Sequence, residues 1–107
     1  MIFSFGKRRA RKETAAALAR VAGAPIRYTT ERLQDGTERV LGRGGAVSVT
    51  PERVVLLCDG KAVFSCPTDA VTCSELLSGD GAVFTGQDTD TGRTMTVTAH
   101  FTRSIRS

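Results

Sequence analysis

The sequence predicts a mainly β fold, either a small barrel or a strongly bent antiparallel sheet of about seven strands, with one helix at its front. Three observations carry this expectation. Apolar and polar residues alternate without interruption from Thr94 to Thr102, turn signals recur at close spacing from Pro25 to Gly92, and a helical period is confined to one Ala-rich stretch. The 107 residues suit one core rather than two, so residues 1–12 read as a basic arm and 13–107 as a single β-rich domain with a leading helix. Hydrophobic residues at 40% and charged residues at 24% match ordinary globular usage and exclude an intrinsically disordered chain.

The helix is expected from about Glu13 to Ala22. Ala17, Leu18 and Val21 share one face there, and Gly23 followed by Pro25 ends it. Arg and Lys are good helix formers, so the helix can extend back through the basic run, and no strong N-cap fixes its start. After Pro25 the period becomes strand-like, with Ile26 and Tyr28 alternating against Arg27 and Thr29, and Asp35-Gly36 supplies a hairpin turn. Gly42, Gly44 and Gly45 interrupt the next strand and mark a bulge or a bend.

Val47 and Val49 resume the alternation, and Thr50-Pro51-Glu52-Arg53 reads as a turn. Val54 to Cys58, the turn at Asp59 to Lys61, and Ala62 to Cys66 form a second hairpin, whose register is expected to set Cys58 opposite a residue near Val63. The stretch from Asp69 to Leu77 is a strand or a short helical turn, with a strand preferred. Ala82 to Thr85 follow the Gly79-Asp80-Gly81 turn. The last strand then places Met95, Val97, Ala99 and Phe101 on one face, with Thr94, Thr96, Thr98, His100 and Thr102 on the other.

Charge is divided unevenly. Residues 1–32 hold eight Lys or Arg against Glu13 and Glu31, a net +6, while residues 33–107 hold seven basic and nine acidic side chains, a net −2. Lys7, Arg8, Arg9, Arg11 and Lys12 form the densest run and are the candidate residues for binding an anionic surface. Phe3 and Phe5 precede them as candidate membrane-interface residues. The alternative for the run is a solubilising tail. No apolar stretch follows the charges as in a secretory signal, no segment reaches the ~20 apolar residues of a membrane span, and position 2 is Ile rather than the Gly of a myristoylation signal. A cytoplasmic location is expected. Cys58, Cys66 and Cys73 are odd in number and spaced for neither a zinc knuckle nor a secreted framework, so free thiols are expected.

The stretch Val47-Ser-Val-Thr-Pro-Glu-Arg-Val-Val-Leu-Leu, with Ala62-Val-Phe-Ser-Cys-Pro67 and Asp69-Ala-Val71, resembles the GRAM subgroup of pleckstrin-homology-like domains over about half the chain. The whole chain also resembles small uncharacterised bacterial proteins. The pleckstrin-homology resemblance implies a small barrel serving as a binding or scaffold module. Two departures qualify it. The superfamily closes its barrel with a C-terminal helix, whereas the helical period here lies at the front, where it is placed to plug the barrel. The paired basic residues such domains use for phosphoinositides are not reproduced, since Arg27, Arg32, Arg39 and Arg43 are scattered with Glu31 and Glu38 among them.

Catalytic motifs are missing from the sequence. His100, the one histidine, lies on a threonine-lined strand face and becomes a base or ligand only if a partner converges on it. No Ser elbow, HExxH or Walker sequence occurs. Asp88-Thr-Asp90-Thr-Gly92 begins like a calcium loop, but an EF-hand needs Gly where Arg93 stands and Glu where Ala99 stands. A PilZ-type cyclic-dinucleotide receptor is rejected, because Arg8 to Lys12 only approximates RxxxR and the second motif is absent around Ser48. The expectation is a non-enzymatic module without a cofactor. Its partner is an anionic surface or an unknown protein, with a nucleic-acid-associated small barrel as the alternative. Absence of Trp, and strand positions for Phe64, Phe84 and Phe101, leave few stacking platforms for nucleic acid.

Overall fold

The computed structural model describes residues 2–103, with side chains from residue 11 onward. Among these, helix α1 (Ile2–Val21) precedes seven strands: β1 (Pro25–Arg32), β2 (Glu38–Val49), β3 (Arg53–Cys58), β4 (Lys61–Pro67), β5 (Thr72–Glu75), β6 (Gly81–Gln87) and β7 (Thr94–Phe101). The helix does run back through the basic stretch. It stops where Gly23 takes a left-handed φ of 80° and gives its N–H to Val47 O at 2.8 Å.

The strands form one antiparallel sheet in the order β4-β3-β2-β1-β7-β6-β5, so it is a bent open sheet rather than a closed barrel. Closure by a β4–β5 ladder fails because both edges are occupied by other partners. Ser65, on the edge strand β4, gives its N–H to Asp88 Oδ1 at 2.9 Å and accepts the Thr89 N–H at 2.7 Å. On the other edge, the Cys73 N–H of β5 reaches Thr14 Oγ1 of α1 at 3.3 Å, and Arg11 donates to the carbonyls of Thr68 and Val71 just before β5. Unpaired strand edges recruit other chains, and here each edge is engaged near its middle from within the molecule, β4 at Ser65 and β5 at Cys73.

Bending brings β4 over β6. A Cβ on Gly86 would lie 2.6 Å from Cys66 Sγ, an approach only glycine permits. Between these layers lies one core, in which Phe64 and Phe84 are fully buried beside Ile26, Leu56, Val71 and Val97. Met95, Val97, Ala99 and Phe101 all face it, as their alternation predicts, and Ala17, Leu18 and Val21 of α1 join the same cluster. The helix therefore plugs the open side of the sheet.

Two register expectations need correction. Cys58 pairs with Lys61, not a residue near Val63, because Asp59 (φ 55°) and Gly60 (φ 73°) make a two-residue turn of the tightest kind. Cys66 stands opposite Val54. In β1, the pairing with β7 shifts between Ile26 and Tyr28, so the simple alternation breaks at Arg27. Ile26 and Thr29 are buried in the core, and Tyr28 is turned to the outer face. Residues 72–75 are a strand, preceded by a turn in which Ala70 and Val71 bond back to Pro67 O.

Candidate functional site

Of the candidate anionic-surface residues, Lys7, Arg8 and Arg9 lie outside the residues whose side chains are described, as do the membrane-interface candidates Phe3 and Phe5. The helix backbone passes through all five positions. The remaining two candidates diverge. Lys12 is exposed. Arg11 is half-buried and held by the Thr68 and Val71 carbonyls, which makes it a clasp between helix and body. One turn later Thr14 is buried, Leu18 and Val21 enter the core, and Arg20 Nε donates to Glu75 Oε2 at 2.6 Å. Spacing of 11, 14, 18 and 21 puts these anchors on one helix face.

The outer face of the sheet carries a second arrangement. The bulge in β1 sets Tyr28 in register between Arg43 of β2 and His100 of β7. The Tyr28 and His100 rings stack with centroids 4.3 Å apart and planes at 17°. The guanidinium carbons of Arg27 and Arg43 lie 5.3 and 5.9 Å from the centre of the Tyr28 ring. Burial pushes the His100 imidazole below its ordinary 6.5; Glu38 opposes that shift and Arg27 reinforces it. His100 is thus the neutral member of a cationic row. Beside it opens a cleft of about 340 Å³, with Arg27 and Arg103 among its walls and His100 and Phe101 among the residues beneath.

The sequence alone gives His100 no partner. Its place on the outer face was legible from the alternation of β7, but its stacking on Tyr28 depends on pairing strands 72 positions apart and on the one-residue slip in β1.

Elsewhere the polar chemistry is committed to structure. Glu31 is buried, with side-chain exposure of 3%, and accepts from Arg39 at 3.0 Å and Arg93 at 3.2 Å. Desolvation pushes its carboxyl up, and the bonds and charges of Arg93 and Arg39 outweigh it, leaving the group below its ordinary 4.5. Asp88, at the head of the calcium-like loop, spends Oδ1 on the Ser65 N–H and Oδ2 on the N–H and hydroxyl of Thr91. It makes a hairpin turn. Among the described residues no three His, Cys, Asp or Glu side chains gather as a metal site would require.

The three cysteines are free and buried in the core, on the face of the sheet opposite His100. Burial pushes Cys66 up, and burial with the nearby Glu75 charge pushes Cys73 up to about 12. Such thiols are poor nucleophiles. No helix among the described residues is long and apolar enough to cross a membrane. Comparison with protein-family models, with curated proteins and with solved structures finds no match to this chain.

Proposed function

We propose that the protein is a non-enzymatic, cytoplasmic binding module that docks on anionic surfaces through the basic segment at the front of α1. One observation carries the reading: that segment is the continuation of a helix whose far half is fixed in the core by Leu18 and Val21 and clasped by Arg11. A loose solubilising tail has no need of such anchoring. The excess of positive charge in residues 1–32 over a weakly negative remainder supplies the attraction. The pleckstrin-homology-like resemblance favours a scaffold role, and α1 covers the open face of the sheet as that family's C-terminal helix covers its barrel. Free buried thiols accord with a reducing compartment.

The test is a salt series on anionic vesicles and on duplex DNA, using the intact protein, a variant with Lys7, Arg8, Arg9 and Lys12 changed to Ser, and one with Phe3 and Phe5 changed to Ser. Vesicle binding should fall steeply with salt, because neutralised anions release their counterions and screening shortens to about 8 Å at physiological ionic strength. The charge variant should lose it altogether. A salt-resistant remainder that disappears with Phe3 and Phe5 identifies insertion at the bilayer interface. Binding to DNA alone replaces the membrane reading with the nucleic-acid alternative. Binding to neither surface at low salt overturns the proposal.

A further inference from the structure

We infer that the cleft between the start of β1, the end of β7 and the 76–80 loop is a binding site for a phosphomonoester group. Its walls bring Arg27 and Arg103 together from distant parts of the sequence, and the half-buried His100 and Thr102 line it with them. At about 340 Å³ it lies at the small end of ligand-sized clefts. Its positive charge is only partly offset. Ion pairs among the described residues engage Arg20, Arg39 and Arg93, and none engages Arg27, Arg43 or Arg103. One carboxylate, Asp80, shares the lining with two guanidiniums.

The row beside the cleft holds Arg27 in place. Arg27 lies over the Tyr28 ring, and that ring stacks on His100, so a guanidinium and an imidazole are ordered before any ligand arrives. Guanidinium donates in a planar fork that matches phosphate oxygens, and a neutral imidazole can take up a proton as a dianion approaches. Among the described residues, the charged groups around His100 are Arg27 of β1, Glu38 and Arg43 of β2, Asp80 of the 76–80 loop and Arg103 beyond β7. Phosphate at the cleft adds the dominant negative charge to this set. It should draw the imidazole midpoint back upward.

His100 is the single histidine of the chain, so its ring resonance can be followed without ambiguity. Titrating the full-length protein with inorganic phosphate at constant ionic strength should move that resonance saturably and raise its protonation midpoint. Arg27→Ser and Arg103→Ser should each weaken binding about tenfold, the loss expected of one charge-assisted hydrogen bond, while Lys61→Ser at the start of β4 leaves it unchanged. A variant with Lys7, Arg8, Arg9 and Lys12 changed to Ser should bind phosphate normally, which keeps this site independent of the arm. In that variant, vesicles of phosphatidylcholine with and without phosphatidic acid separate two sources of the ligand. A response to phosphatidic acid assigns the site to a lipid headgroup, and a response to free phosphate alone assigns it to small soluble phosphate esters. A linear drift of the resonance, equal in phosphate and in chloride, overturns the inference.

Discussion

Phe101 ends β7 almost wholly buried, while Thr98 of the same strand is half-exposed on the outer face. Replacing Phe101 by Ala should cost about 3–5 kcal/mol in denaturant melts through lost burial and the cavity left behind, and Thr98→Ala should cost less than about 1 kcal/mol. Similar small losses would mean that β7 is peripheral. The cysteines give a second check at this scale. Because all three are buried and two have their thiols pushed up, a thiol reagent should find none quickly in the native protein and three in denaturant without reductant. The residues that set this core were readable because a period of two needs no knowledge of the partner strand. Gly86 was not, since its necessity arises from Cys66, which crosses over it from a strand twenty positions earlier.

Among the elements, α1 departs furthest from what its sequence announces. Its apolar stripe of Ala17, Leu18 and Val21 was legible, but its placement along β5 was not, because the bonds that fix it join Arg11 and Thr14 to backbone groups about sixty residues away. Thr14→Val keeps the shape of the side chain and removes the acceptor, leaving a buried Cys73 N–H unsatisfied. The expected cost is about 1–3 kcal/mol, with faster hydrogen exchange at the Cys73 amide, and Thr14→Ser should restore both. Unchanged exchange in the Val variant would remove Thr14 from the edge. Alternation of Ile26 with Tyr28 looked regular, yet one extra residue against β7 sent the tyrosine outward and created the row with Arg43 and His100.

Across the whole molecule, Glu31 ties β1 to β2 through Arg39 and to the approach of β7 through Arg93, a join that the spacing of these residues in sequence conceals. Its carboxyl titrates below 4.5 in the folded state and near 4.5 once unfolded. The unfolded chain therefore takes up the proton first as pH drops, and the contribution of Glu31 is present above pH 4.5 and lost as pH falls through the folded value. Glu31→Gln should lower stability at pH 7 and flatten its decline in that acid window. A parallel decline in both proteins would assign the acid sensitivity elsewhere. The fold class was open to sequence reasoning because turns and alternation are local; the candidate cleft was not, because Arg27 and Arg103 meet only after the sheet has formed.

The clasp at Arg11 has a thermodynamic consequence for finding ligands. A flexible appendage can capture a polyanion without altering how the domain melts. Here the basic segment and the core share one helix, so occupancy that requires the folded helix must stabilise the entire protein, by about 2.7 kcal/mol when ligand stands at a hundredfold excess over Kd, and raise its melting midpoint accordingly. The domain thereby serves as the calorimeter for its own arm, and a panel of candidate anions can be ranked by heating alone.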